Sequence, residues 1–256
     1  MKVLSWLLHA YRLLAVLSGF VLFGVIGLLY HVLLLPFMPR HGIQPPHAQR
    51  RSRALVSFSW WVLIRYLSMI GVLSYRFQGL ERLGRPGQLI LANHPSLLDV
   101  VFLIAHVQTL NCVVKHDLLR RPTMKRPILC SGYILNDDSE QVLVAADKVL
   151  KEGQSLLVFP EGTRTGHDGV IRLNRGAVSI GLRSARVITP VVIRVHPPVL
   201  KKGQPWYQAA RQRIRYEFVV GEDIDPASWL VEKPLPIASR RLNHHLQDYF
   251  SREGSQ

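Results

Sequence analysis

Gln88-Leu89-Ile90-Leu91-Ala92, followed by Asn93-His94-Pro95-Ser96-Leu97-Leu98-Asp99, is the stretch that decides the fold. Leu89 to Ala92 is a short apolar run, the pattern of a strand buried on both faces. Pro95 stands where a first helical residue would stand, and Val100-Val101-Phe102-Leu103-Ile104 carries the apolar run onward. His94 therefore falls at a strand-to-helix junction, where a side chain can project from the end of a sheet. Asp99 lies five positions on, within reach of a ring nitrogen of His94. A histidine whose tautomer is fixed by a carboxylate can act as a general base toward a hydroxyl. Taken alone, the spacing also fits a capping turn with a solvated aspartate.

A second stretch narrows the reading. Ser155-Leu156-Leu157-Val158-Phe159 is another buried-strand run, and it ends in Pro160-Glu161-Gly162-Thr163-Arg164-Thr165. The two segments, each closing an apolar strand and in this order, resemble the glycerolipid acyltransferase family of the lysophosphatidate (1-acylglycerol-3-phosphate) type. The resemblance covers roughly Tyr75 to Pro198. It implies transfer of a fatty acyl chain from acyl-CoA or an acyl-carrier protein to a lysolipid hydroxyl, with no bound cofactor or metal. It also implies that attack is direct, with His94 as base, Asp99 as its orienting group and no acyl-enzyme. Glu161, Gly162, Thr163 and Arg164 match the family's segment for the acceptor headgroup.

The residue chemistry agrees with those roles. A planar guanidinium suits a bidentate phosphate contact, and Gly162 permits close backbone approach. Glu161 cannot hold phosphate itself, so it is expected to position Arg164 or a backbone group. The plain alternative is a surface turn with a Glu–Arg ion pair. Ser96 is expected to bond free N–H groups at the helix start rather than to act as a nucleophile. Pro190-Val191-Val192-Ile193 matches a late strand of the family and is expected to line the acyl chain.

One departure concerns the acceptor. In the family, a Gly-led segment between the two motifs ends in Asp-Arg, and its arginine contacts the acceptor phosphate. Here the segment is Gly132-Tyr133-Ile134-Leu135-Asn136-Asp137-Asp138, with Asp138 in the arginine's place. Asp138 followed by Gln141 is also a helix-capping pattern. Lys115, Arg120 or Lys125 can supply the missing cation, and Lys115 is taken as a substrate-binding candidate. The substitution raises the alternative of a lipid acceptor without a phosphomonoester.

Composition fits a lipid enzyme. The 256 residues are 48% hydrophobic with a formal net charge of +15. Such an excess suits an anionic membrane surface or an acidic acyl-carrier protein. No zinc-finger, RNA-recognition or helix-turn-helix signature supports a nucleic-acid partner. The two cysteines, Cys112 and Cys130, form no C-x-x-C pair, which argues against a zinc site or a disulfide framework. Cys112 lies in an apolar run and reads as a buried structural thiol.

Leu13 to Phe37 is almost continuously apolar and long enough to cross a bilayer core, which takes about 20 residues. The arginines after it, Arg40, Arg50, Arg51 and Arg53, place that loop on the cytoplasmic side of a bacterial inner membrane. Gly42 to Arg53 reads as a linker. Ala54 to Tyr75, with Trp60, Trp61 and a snorkelling Arg65, reads as an interfacial helix. The expected organisation is a membrane-associated helical region over 1–74 and a catalytic domain over 75–256. The expected fold is α/β, a mixed, largely parallel sheet flanked by helices. Its strands are Gln88–Ala92, Asn111–Val114, Ser155–Phe159 and Val187–Ile193. Gln141–Glu152, Arg175–Arg186 and Pro234–Glu253 read as helices, and Arg213–Val220 as a late alternating strand. An acyl-ester hydrolase is the competing enzyme class, and it lacks a G-x-S-x-G elbow. A non-catalytic membrane or nucleic-acid binder is the other competitor.

Overall fold

The structure is a computed structural model describing residues 2–38, 45–166, 169–201, 203–204 and 212–254. Two helices come first, α1 (Lys2–Leu33) and α2 (Pro46–Met69). An alternating region follows, with β1 (Leu73–Gln78), β2 (Gln88–Ala92), α3 (Asp99–His106), β3 (Asn111–Lys115), α4 (Pro122–Ser131) and β4 (Ile134–Asn136). It continues through α5 (Ser139–Lys151), β5 (Leu156–Val158), α6 (Arg175–Ser184), β6 (Val187–His196) and β7 (Ile214–Val220). α7 (Pro226–Glu232) and α8 (Leu235–Gly254) close the chain.

The seven strands form one sheet in the order β1-β7-β6-β2-β5-β3-β4. β4, β3, β5, β2 and β6 run parallel. β7 pairs antiparallel to β6, and β1 runs parallel to β7. The expected mixed, largely parallel sheet is therefore present. β2 and β5 are buried along their whole length because helices cover both faces, so from Leu89 to Ala92 and from Leu156 to Val158 they are continuous apolar runs. Ile90, Ala92, Cys112 and Leu157 face a core shared with Trp60 of α2, Phe102 of α3 and Ile128 of α4. Leu89, Leu91, Leu156 and Val158 face the other core, with Ala146 of α5, Val178 of α6 and Leu242, Leu246 and Phe250 of α8.

The crossings decide where a site can form. From β2 the chain moves through α3 to β3, on one side, whereas from β5 it returns through α6 to β6, on the other. Connections thus leave in opposite directions near β2 and β5, and a crevice opens beyond their carboxyl ends.

Several boundaries differ from the sequence reading. Residues 42–53 read as a linker; residues 42–44 lie outside the described residues, and α2 begins at Pro46. Proline is favourable in a first helical turn, whose N–H groups have no partner within the helix. Arg53 is not a loop cation but is 1% exposed. Its Nη1 donates to the Thr109 carbonyl at 3.1 Å and to Gln154 Oε1 at 2.7 Å, which bolts α2 to the loops that lead into β3 and β5. Arg53→Ala would leave the Thr109 carbonyl without this donor and Gln154 Oε1 with only Asn111 Nδ2, and would empty a buried site, so it is expected to lower unfolding free energy by about 2–4 kcal/mol. Chemical denaturation of the purified protein measures this. The apolar segment expected to run to Tyr75 ends as a helix at Met69, and Leu73 to Gln78 is instead the edge strand β1.

α1 packs lengthwise on α2. Tyr66 donates to Ser18 Oγ at 2.8 Å, Phe23 stacks on Trp60 with centroids 5.5 Å apart, and Gly19 gives room to Leu67. The opposite face, with Leu14, Val21, Leu28 and Val32, is exposed. Within α1, Ala10–Leu33 is long and apolar enough to cross a membrane by length and composition.

Candidate active site

The helix after β2 starts later than Pro95: α3 begins at Asp99, with Leu98 as its N-cap residue. A turn over Ser96–Leu98 lets Asp99 fold back toward His94. Asp99 Oδ2 accepts from the Ser96 N–H at 2.7 Å and lies 2.8 Å from His94 Nδ1. The carboxylate fixes the proton on Nδ1 and leaves Nε2 as the basic nitrogen. Asp99 is fully buried, while the His94 side chain is 16% exposed, enough to meet a reactant. Burial pushes the Asp99 carboxyl above its ordinary range. The His94 ring, the Ser96 N–H and the charge of Arg164 act against that shift.

Three neighbours hold the junction in place. Asn93 extends the strand ladder with its side chain: Oδ1 accepts from the Ile193 N–H at 2.7 Å, and Nδ2 donates to the Ile193 carbonyl at 2.9 Å. The His94 ring stacks on Phe159, centroids 4.2 Å apart and planes 23° from parallel. The Ser96 hydroxyl pairs with the hydroxyl of buried Tyr216 on β7 at 2.9 Å. Ser96 was expected to cap the helix; its hydroxyl instead answers Tyr216, because a buried phenol needs a polar partner.

The loop after β5 grips the same peptide. Glu161 Oε1 accepts from the His94 N–H at 2.8 Å and from Thr165 Oγ1 at 3.1 Å. The Thr165 N–H donates to the His94 carbonyl at 2.8 Å. Both backbone groups of His94 are thus held from β5, and the carboxylate of Glu161 positions a backbone group, one of the two roles expected for it. Burial raises the Glu161 carboxyl, opposed by those two donors. Gly162 turns the loop at φ +67, with its N–H on the Phe159 carbonyl at 3.0 Å. A side chain there would be strained, and its Cβ would lie 3.2 Å from Asn174 Nδ2. Thr163 is half-buried in the same turn. Arg164 donates through Nη1 to the carbonyls of Leu200 and Lys201, at 2.7 and 3.0 Å. No Glu161–Arg164 ion pair forms; the turn's two charges serve separate partners. Beside these loops lies a cleft of about 450 Å³ whose lining includes Pro95, Thr165, Gly166, Arg194 and Arg215.

His94, Asp99, Glu161, Gly162 and Arg164 are therefore gathered at one end of the sheet. Lys115 is exposed at the same end, on β3, which β5 separates from β2. At about 4.8 Å per strand its backbone is roughly 10 Å from the end of β2. Of the late strand expected to line the acyl chain, Ile193 borders this cleft, while Val191 and Val192 are wholly buried, because β6 lies between β2 and β7. Asp138 caps α5, its side chain accepting from the Glu140 N–H at 2.9 Å. Asp138→Ala is expected to cost about 1 kcal/mol of stability and leave turnover unchanged, as read from thermal melts and initial rates. Cys112 and Cys130 are buried, and burial pushes their thiols up to about 12 and about 11. Among the described residues no three His, Cys, Asp or Glu side chains converge to hold a metal ion.

Sequence reading missed Asn93, Phe159, Thr165 and Tyr216 as supports of the site. The signal for Tyr216 was its inward position on an alternating strand, where the hydroxyl had to find a partner.

The chain is similar to known proteins. A sequence model of acyltransferase domains matches residues 74–194. The 1-acyl-sn-glycerol-3-phosphate acyltransferase of Helicobacter pylori is 30% identical over 190 residues, covering 70% of this chain and 78% of that protein. The enzyme of the same name from Pseudomonas aeruginosa is 26% identical over 189 residues, 72% of this chain and 70% of its own. With the one from Borreliella burgdorferi the match is 30% over 111 residues, and the chain spans 44% of that protein. The crystal structure of the 1-acyl-sn-glycerophosphate (LPA) acyltransferase PlsC from Thermotoga maritima superposes with a TM-score of 0.71. It shares 19% identity, with 95% of this chain and 96% of that one covered, so the fold is common to both.

Proposed function

The chain belongs to the acyltransferase family, and we propose that it moves a fatty acyl group from a thioester to the free hydroxyl of a 1-acylglycerol-3-phosphate-type lysolipid. The observation that carries this reading is the His94–Asp99 pair, Nδ1 to Oδ2 2.8 Å, in the crevice between β2 and β5. In this mechanism Nε2 of His94 takes the acceptor's hydroxyl proton as its oxygen attacks the thioester carbonyl. The tetrahedral intermediate collapses with cleavage of the C–S bond. The departing thiolate takes the proton back from the imidazolium, so the enzyme ends as it began. Asp99 stabilises the imidazolium while the charge exists. The donor is acyl-CoA or an acyl-carrier protein thioester.

The acceptor's phosphate is placed near Arg164, whose Nε and Nη2 remain as donors once Nη1 holds the two carbonyls. Because Asp138 is turned to a helix N–H, its carboxylate does not argue against a phosphomonoester. Lys115 flanks this seat as a more distant cation.

Two observations weigh against nucleophilic alternatives. Ser96 is fully buried with its hydroxyl on Tyr216, unlike a hydrolase nucleophile. The cysteines are protonated at neutral pH, and the thiolate is the reactive form. Cys112→Ala and Cys130→Ala are each expected to keep most of the transfer rate. Loss of activity in both, measured as esterified product, would overturn direct attack.

Membrane association rests on α1. Its exposed apolar face and the low burial of the 10–33 segment suit lipid better than a protein core. We place the catalytic domain on the cytoplasmic side of the inner membrane, with exposed Arg50 and Arg51 after α1 as the supporting charges. Arg53, being buried, is not among them.

A further inference from the structure

A second cleft, of about 580 Å³, lies between α1 and α4 and shares no lining residue with the one beside His94. Its lining includes Arg120, Lys125 and Arg126, with His31, and apolar Leu119 and Leu129. Among the described residues no aspartate or glutamate lines it. Arg126 is aimed by a bond to the His31 carbonyl, so one cation is held in position rather than swinging in solvent. Arg120 has only a 3.9 Å approach to Asp117, both side chains more than four-fifths exposed, which neutralises little. On the α1 side the surface continues into exposed Leu28, Val32 and Leu35.

We propose that this cleft is a seat for the headgroup phosphate of an anionic membrane phospholipid, separate from the acyl-transfer site. Three cations with no acidic neighbour among the described lining residues call for an anion. A soluble anion would gain nothing from the apolar residues that flank it, whereas a phospholipid lays its chains along the outer face of α1. Arg120 and Lys125, which the sequence offered as replacements for the family's missing arginine, serve this second phosphate instead. The inference rests on the reading that α1 meets lipid.

The test is native mass spectrometry of the full-length protein, released from detergent micelles containing equal phosphatidylglycerol and phosphatidylcholine. Wild type is expected to retain a phosphatidylglycerol adduct about tenfold over phosphatidylcholine. Arg120→Glu with Lys125→Glu should abolish that preference. Lys148→Glu with Arg240→Glu, an equal charge change at exposed sites on α5 and α8, should keep it. Equal retention of both lipids by wild type, or equal loss in both double variants, overturns the seat. So does displacement of the lipid by equimolar coenzyme A, which would give the cleft to the acyl donor. Wild type retaining neither lipid, together with failure to bind vesicles of either lipid, would instead remove the membrane reading beneath it.

Discussion

His94→Ala is expected to lower the rate of acyl transfer by about 10²–10⁴-fold while leaving the fold intact. In the proposed mechanism the ring takes the acceptor's hydroxyl proton, so its loss removes the general base. Its loss also leaves the buried Asp99 carboxylate with the Ser96 N–H alone, which lowers stability somewhat but should keep unfolding cooperative, because the ring packs on Phe159 at the edge of the core. Asp99→Asn should fall by a similar factor for a different reason. The amide keeps the volume of the buried carboxylate but offers neither its charge to the imidazolium nor a firm choice of tautomer. Initial rates beside thermal melts separate these effects from unfolding. If both variants retain wild-type turnover, the pair is only a capping turn.

Arg164→Lys is the second large effect. Lysine keeps the charge, but its ammonium cannot hold the Leu200 and Lys201 carbonyls and still present a planar fork to phosphate. Contacts of this kind are worth about 1.5–3 kcal/mol, so KM for the lysolipid should rise roughly tenfold to over a hundredfold. KM for the thioester should stay near wild type. A rise confined to the donor's KM would move Arg164 to the other substrate.

The parts of the fold legible in the sequence were those in which one requirement dominates. Leu89–Ala92 of β2 and Leu156–Val158 of β5 are apolar throughout because both faces are covered, and their runs are plain; the one polar residue of β2, Gln88, is buried with its amide on the Arg82 carbonyl and Thr189. β7 alternates because Arg215 points out between buried Ile214 and Tyr216. α2 was harder to bound. Its first turns are polar, and long-range bonds, Arg53 to Thr109 and Gln154 and Ser52 to Ser131, explain why they are helix rather than linker. The start of α3 was misplaced for a similar reason: Pro95 suits a first turn, but the Ser96 N–H is taken by Asp99 Oδ2 and the helix waits until Asp99.

The site was legible in its reactive residues and opaque in its supports. His94 and Asp99 lie close in sequence, so a turn brings them together. Asn93 to Ile193, Ser96 to Tyr216 and His94 to Glu161 join residues far apart along the chain. Those contacts follow from strand order and register, which no local spacing reveals. Glu161 illustrates the limit. Its motif marked it as a residue of the site, but only the sheet geometry gives it the peptide of His94 rather than Arg164.

Direct transfer by His94 is most plainly tested by isotope tracing. Purified full-length protein is given acyl-CoA carrying a labelled acyl chain together with 1-acylglycerol-3-phosphate, and all labelled species are resolved by mass spectrometry. The account predicts label in the diacylated phospholipid, none on the protein, and loss of the labelled lipid to background in His94→Gln. Label appearing as a protein ester or thioester, or as free fatty acid without lipid product, or in the lipid at an undiminished rate in His94→Gln, would contradict it.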